Sequence, residues 1–394
     1  MNRQVFPGSG KDGKAGKKHN DKGHHLMKKT WVGLALLSAL FLYSCLWKPL
    51  PFDDDLWRER VQRTDPALLY ASHFRDGRYF NPWMPMEKKS LLTLLRWRFT
   101  EKRSYMPEEE GFLPTVIPDL PARIGSLPGD TDFIVWIGHG TFLIRLDGKY
   151  WITDPMFSER ALLPKRHTPP AMTLEEFRET VPKVNVILSH NHYDHMDMKS
   201  LEAMPPGTRY YVSRGLGASI GDLGNEPVVH EMDWWQSLDG GNGTTVICLP
   251  AQHWSRRVTE GTNRTLWASF LIVTPDVTIY YGADSGYFMG YREIGKRFPG
   301  IDYALLPTTA YHPRWFMHYA HVNVEEALDA FSDLKADHFI PTQWGTFRLG
   351  DEPPGFSALE LQRVLSERNL DKKRFHILDL GEILLISKKS PGGP

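Results

Sequence analysis

Four side chains able to bind a metal fall within six residues, His190-Asn191-His192-Tyr193-Asp194-His195. The preceding Val184-Asn185-Val186-Ile187-Leu188-Ser189 reads as a buried strand, so these groups leave a strand end, where α/β folds place their chemistry. On a still-extended chain His190 and His192 point to one side, because the side-chain period is two. Asp194 and His195 follow as the chain turns and can face a second point nearby. Two neighbouring ions suit that arrangement better than one. Imidazole favours zinc-like ions, and a carboxylate widens the choice to iron or manganese. The plain alternative is a polar loop that happens to be rich in histidine. A two-ion site needs further ligands, expected at later strand ends. His253 follows the expected strand Thr245 to Leu249. Asp284 follows Thr278 to Tyr281, within Gly282-Ala283-Asp284-Ser285-Gly286. Each alone reads as structural; with the opening cluster they become candidate ligands.

The elements that must position these groups follow from periodicity. The main domain is expected from about residue 131 to 390. Phe133 to Ile137 and Phe142 to Leu146 are strand-like, and Asp147-Gly148 is a hairpin signal before Lys149 to Thr153. Further strands are expected at 184–189, 208–212, 244–249, 266–273, 278–283, 303–307 and 338–341. Helices are expected near 173–180, 288–298, 323–334 and 357–368, with Asn323 as an N-cap. Hairpins early and strand–helix alternation later mean an α/β layered protein, not a β-sandwich.

Lysine plus arginine, 47, equal aspartate plus glutamate, 47. Bulk charge therefore argues neither for a nucleic-acid partner nor for an acidic one, and no nucleic acid is expected. Cys45 and Cys248 give no disulfide framework. Residues 1–29 carry eight Lys/Arg against two Asp, with no apolar periodicity, and read as a disordered basic tail. Within 30–47, Trp31 to Trp47 is an uncharged apolar run after Lys28-Lys29. It has the length of a short membrane span and the shape of a secretory signal. Leu42-Tyr43-Ser44-Cys45 resembles a bacterial lipoprotein cleavage box that would lipidate Cys45, although Tyr43 fits it poorly. Met27 is an alternative start to Met1, and a buried core helix is the plain alternative for the run. The expectation is a membrane-attached protein, lipoprotein or signal-anchored, with its domain exported to the periplasmic side. Residues 48–130 form an irregular lead-in. In it Leu91, Leu92, Leu94, Leu95 and Phe99 follow helical spacing between basic residues, either on a membrane surface or packed on the main domain.

Gly138-His139-Gly140-Thr141, Thr153-Asp154-Pro155, the His190 cluster, His253 and Asp284 occur in an order that resembles the metallo-β-lactamase superfamily. The nearer resemblance is to N-acylphosphatidylethanolamine-hydrolysing phospholipase D and its bacterial relatives. Tyr79-Phe80-Asn81-Pro82-Trp83, Asp233-Trp234-Trp235, Pro313-Arg314-Trp315-Phe316-Met317 and Trp344-Gly345-Thr346-Phe347 extend it over about residues 75 to 385. The resemblance implies a four-layer αββα fold with two zinc ions between the sheets. His190, His192 and His253 would hold one ion, Asp194 and His195 the other, and Asp284 would bridge. His321 would stand beside the metals as a proton or phosphate partner. Tyr193, Arg256 and Arg257 would meet the phosphate and headgroup, and a solvated pair is the plain reading of the arginines. The family has histidine before Trp-Gly-Thr-Phe; here Gln343 stands there, at best a weak ligand. His338 is expected on another face. Asp154 is a candidate partner that fixes a ligand histidine, or a turn former before Pro155. His139 is read slightly in favour of simple packing.

Two cations lower the pKa of a shared water to ~7, supplying hydroxide at neutral pH. The expected reaction is attack on a phosphodiester, releasing N-acylethanolamine and phosphatidic acid, with Asp284 orienting the nucleophile. A lactonase or other esterase on the same scaffold is the nearest alternative. A lipoprotein with a decayed metal site is the alternative outside enzymes. The expected partners are a phospholipid substrate and a membrane, and a homodimer is compatible with this reading.

Overall fold

The computed structural model describes residues 27–38, 48–87 and 89–386. Cys45, most of the apolar run and most of the basic tail lie outside the described residues. The chain divides into two compact units, one of the residues up to Pro49 with Lys89–Glu101, the other of Leu50–Lys88 with Lys102–Pro394. The lead-in is thus split between them. The smaller unit has a helix over 27–38 and another over Leu91–Phe99, whose N-cap Ser90 Oγ accepts from Thr93 N at 3.1 Å. Among the described residues no helix is long and apolar enough to cross a membrane.

The larger unit is built on two sheets. One has seven strands in the spatial order Ile383–Leu385, Phe133–Gly138, Thr141–Leu146, Lys149–Thr153, Val184–Leu188, Arg209–Ser213 and Val228–Met232. Its first four strands pair antiparallel and its last four parallel. The other has six, His338–Thr342, Tyr303–Pro307, Thr278–Tyr281, Ser269–Val273, Thr244–Leu249 and Ser237–Gly241. It is parallel from Thr278–Tyr281 to His338–Thr342 and antiparallel across the rest. Asp147 and Gly148 both have positive φ, 49° and 73°, as a two-residue hairpin turn requires.

Every residue of Phe133–Gly138 and Thr141–Leu146 is buried. A strand without polar alternation is covered on both faces. The sheets meet through Trp136 and Trp344, stacked at 5.0 Å, and through the Tyr281 hydroxyl, which donates to Asp154 Oδ2 at 2.6 Å and lies 3.1 Å from Gly140 O. Helix Val324–Leu334 buries Val324, Ala327, Ala330, Phe331 and Leu334. Its capping box is complete: Asn323 Oδ1 accepts from Glu326 N at 2.8 Å, and Glu326 Oε2 from Asn323 N at 3.1 Å. The layers are those of the αββα sandwich. The strands Val228–Met232, Ser237–Gly241 and Ile383–Leu385 were not expected from the sequence, and the strand expected over 266–273 begins at Ser269.

Candidate metal centre

Both sheets deliver side chains to one place. His190, His192, Asp194 and His195 follow Val184–Leu188, Asp154 follows Lys149–Thr153, and His139 lies between Phe133–Gly138 and Thr141–Leu146. From the other sheet, His253 follows Thr244–Leu249, Asp284 follows Thr278–Tyr281 and Gln343 follows His338–Thr342. Four of these corners bend through the left-handed region without glycine: His139 (φ 52°), Asp154 (32°), Ala283 (50°) and Gln343 (73°). Such strain persists where surrounding structure dictates the conformation, and it gathers at functional sites.

His190, His192, His253 and Asp284 present one ligand atom each to a common point. His192 Nδ1 lies 2.9 Å from His190 Nε2 and 3.1 Å from His253 Nε2. Asp284 Oδ2 lies 3.7 Å from His190 Nε2 and 3.3 Å from His253 Nε2. A tetrahedral zinc ion with bonds of ~2.0–2.1 Å needs ligand atoms ~3.3–3.4 Å apart. The four distances straddle that value.

The surroundings also assign the protons. The Ser189 hydroxyl donates to Asp154 Oδ2 at 2.6 Å, so it accepts from His190 Nδ1 at 2.9 Å. His253 Nδ1 can only donate to Ala320 O, at 3.1 Å. Both Nε2 atoms are therefore lone pairs aimed at His192 Nδ1. One ring nitrogen carries at most one proton and cannot satisfy both, whereas a cation would. His192 Nε2 is itself buried without a hydrogen-bond partner. Burial holds His190 and His253 well below the usual imidazole range and brings His192 to about 4, so all three are neutral and ligand-competent.

The second group is His139, Asp194 and His195. Asp154, fully buried, accepts from Ser189 N at 2.8 Å, from His195 Nδ1 at 2.7 Å and from the Tyr281 hydroxyl at 2.6 Å. This turns His195 Nε2 toward Asp284 Oδ1 at 3.2 Å and Asp194 Oδ2 at 3.4 Å, with no well-directed hydrogen bond to either. Burial disfavours protonated His195, but Asp284, Asp194 and the bond to Asp154 outweigh it and hold its pKa well above the usual range. A proton thus sits where the carboxylates call for a cation. Asp284 is held well below the carboxylate range: burial opposes its charge, and His195 and His253 prevail.

Two residues sit differently from the sequence reading. His139 is not mere packing, because its Nε2 lies 2.9 Å from Asp194 Oδ2. Its Nδ1 is buried without a hydrogen-bond partner. A metal-ligating histidine usually donates its other N–H, so His139 is better suited to donate to Asp194 than to bind an ion. Gln343 faces the centre with its amide nitrogen, which donates to Asp284 Oδ1 at 2.6 Å, while its oxygen accepts from Thr309 Oγ1 at 3.4 Å. The reverse orientation would set two acceptor oxygens against each other. Gln343 thus holds an oxygen of the shared carboxylate instead of offering a ligand atom.

His192, Tyr193 and Asp194 are only partly buried and form the open side. Tyr193 accepts from Val258 N at 3.2 Å, and the Arg257 guanidinium lies 4.4 Å from its ring centroid and donates to Met196 O. Arg257 is therefore engaged in the protein, and bland solvation does not describe it. Arg256 is exposed on the ribbon Arg256–Arg257/Gly261–Thr262. The His321 ring stands 5.3 Å from that of His253. His338 pairs with His376 at 3.1 Å and stacks on Tyr303, away from the ligand set. Sequence reasoning did not find Ser189 or Tyr281. Nothing in their local pattern marks them, since their role exists only through Asp154.

Residues 150–344 match the beta-lactamase superfamily domain model. The chain is 32% identical over 271 residues to N-acyl-phosphatidylethanolamine-hydrolyzing phospholipase D 1 of Caenorhabditis elegans, covering 64% of this chain and 75% of that one. It is 33% identical over 332 residues to an uncharacterized protein of Mycobacterium tuberculosis, covering 76% and 84%. A metallo hydrolase of Ignicoccus hospitalis has a similar fold, with TM-score 0.52, 19% identity and coverage of 66% of this chain and 100% of that one. With two sheets converging on buried histidines and carboxylates, the chain belongs to the metallo-β-lactamase superfamily, alongside the N-acyl-phosphatidylethanolamine-hydrolysing phospholipases D, and is a metal-dependent hydrolase.

Proposed function

We propose that this hydrolase is a zinc-dependent phosphodiesterase of phospholipase D type acting on N-acylphosphatidylethanolamine. Water adds to phosphorus, the bond to the ethanolamine oxygen breaks, and that oxygen leaves with a proton. The products are N-acylethanolamine and phosphatidic acid. The observation that carries this reading is the meeting of two ligand groups on Asp284, in a chain related to a nematode enzyme of that name. His190, His192, His253 and Asp284 would hold one ion, and Asp194, His195 and Asp284 the second. When bound, the ions supply an activated water and polarise a phosphoryl oxygen. Asp284 orients the attacking water, and exposed Arg256 neutralises charge on the phosphate. Tyr193 borders the headgroup, and His321 exchanges a proton with the leaving group or holds the phosphate. The second ion is the weaker one, because Gln343 replaces an imidazole. We place the enzyme at a membrane, attached through 30–47 or a lipid on Cys45, with its catalytic unit on the exported face.

The test is N-acylethanolamine release from vesicles by the zinc-loaded full chain, measured by mass spectrometry. Release is expected in wild type and lost by at least ~100-fold in His192→Ala. Lactone cleavage without turnover of any phosphodiester would overturn the proposal.

A further inference from the structure

The segment Tyr79-Phe80-Asn81-Pro82-Trp83 lies about 170 residues from His253 in sequence, yet its side chains meet the loop that carries His253. Asn81 is 2% exposed and uses three of its four side-chain hydrogen-bonding directions, all but one lone pair. Its Nδ2 donates to the backbone oxygen of His253 at 3.1 Å and to the Tyr319 hydroxyl at 2.7 Å. Its Oδ1 accepts from Trp267 Nε1 at 3.1 Å. Two residues on, Trp83 Nε1 donates to Gln252 Oε1 at 3.1 Å. Gln252 Nε2 then donates to Tyr319 O at 3.0 Å and Tyr287 O at 3.2 Å, and Gln252 O accepts from Gly286 N at 2.9 Å. The Tyr319 hydroxyl returns to Met84 O at 2.5 Å.

Three loops are tied by this network: Gln252–His253, the turn after Asp284, and Tyr319–His321. The first and third also set the His253 ring, because its Nδ1 donates to Ala320 O. Pro82 restricts Asn81 to an extended backbone, which fixes the direction of the amide. We infer that Asn81, supported by Trp83, is a positioning residue for the first metal centre, fixing the backbone of His253 and the loop that sets its tautomer. This rests on the reading of His253 as a metal ligand. Asn81 touches no ligand atom and no substrate. Its effect runs through the placement of Nε2, and displaced ligands lose affinity for an ion whose geometry they no longer match.

Cobalt(II) is the probe, since its visible absorption reports coordination geometry and chelator competition reports affinity. Wild type, Asn81→Ala and Asn81→Asp are compared as full-length chains, with thermal melts alongside. The carboxylate variant keeps the acceptor for Trp267 and loses both donors. Tyr210→Phe is the control, removing buried hydrogen bonds to Leu201 O and from Asn225 Nδ2 that no residue of the Asn81 network shares. Both Asn81 variants are expected to bind cobalt about 10–100-fold more weakly, with an altered absorption band. The control is expected to lose stability with affinity and band unchanged. If Asn81→Ala fails to fold, Trp83→Phe reads the same network, because it removes the N–H that holds Gln252 and leaves the Asn81 amide in place. Unchanged affinity and absorption in every folded network variant would overturn the inference. Absence of cobalt binding in wild type would instead overturn the metal-centre reading beneath it.

Discussion

Replacing Gln343 by histidine should convert the weaker position into a second tight one. The backbone there has φ 73°, a region that histidine tolerates better than most residues. The substitution removes the charge-assisted bond from the amide to Asp284 Oδ1, made at 2.6 Å. Such a bond contributes ~1.5–3 kcal/mol. Structural zinc sites bind with ~10–16 kcal/mol from four ligands, or ~2.5–4 kcal/mol per ligand. The difference favours the imidazole by ~1 kcal/mol, about a fivefold tightening. Chelator-stripped protein would be titrated with zinc, then desalted for elemental analysis. Wild type should retain about one ion per chain and Gln343→His about two, with the added event absent from wild type calorimetry at low zinc. Two equally tight ions in wild type, or no added event in the variant, would refute the argument that the amide holds the carboxylate in place of a ligand.

Gly286→Ala would put a Cβ 2.1 Å from Tyr319 O, a backbone atom. The variant should lose ~1–3 kcal/mol in urea unfolding and retain less metal, because the loops of Asp284 and His321 are pushed apart. An unchanged midpoint would show that the close approach is not required. Glu352 is buried, which raises its carboxyl from 4.5 to about 7. Between those values the folded state keeps a proton that the unfolded state has lost, so this contribution falls as pH rises, by up to ~3 kcal/mol. Urea midpoints at pH 5 and pH 7.5 should therefore shift in favour of Glu352→Gln at the higher pH, and parallel curves would refute the assignment.

What was legible in the sequence is what depends on short-range spacing. The His190 cluster, the hairpin at Asp147-Gly148 and the Asn323 cap each carry their signal within a few residues. Val228–Met232 and Ser237–Gly241 were missed because their sequences, with His, Glu, Asp and paired glycines, lack strand alternation. They form only as outer strands along neighbours already in place. The contact between His139 and Asp194 was illegible for another reason. It needs a histidine in the left-handed region, and Gly138 and Gly140 on either side suggested the bland reading. The amide of Gln343 could be flagged as a departure, but its orientation toward Asp284 depends on the end of another strand of the same sheet, 59 residues earlier.

The division of ligands between the sheets has an energetic consequence. The strand ends of the seven-stranded sheet supply His190, His192, Asp194 and His195, and those of the six-stranded sheet supply His253 and Asp284. Neither sheet holds a complete set of the candidate ligands. An ion that binds the folded chain and not the unfolded one therefore draws the sheets together, and its binding energy becomes folding energy. Without it, the same point gathers bare imidazole nitrogens, and His195 retains a proton against two carboxylates. The lead-in matters for the same reason. Through Asn81 and Trp83 it secures the loop of the one histidine that comes from the six-stranded sheet. A segment with no ligand of its own is thereby part of what makes the two halves meet at the right distance.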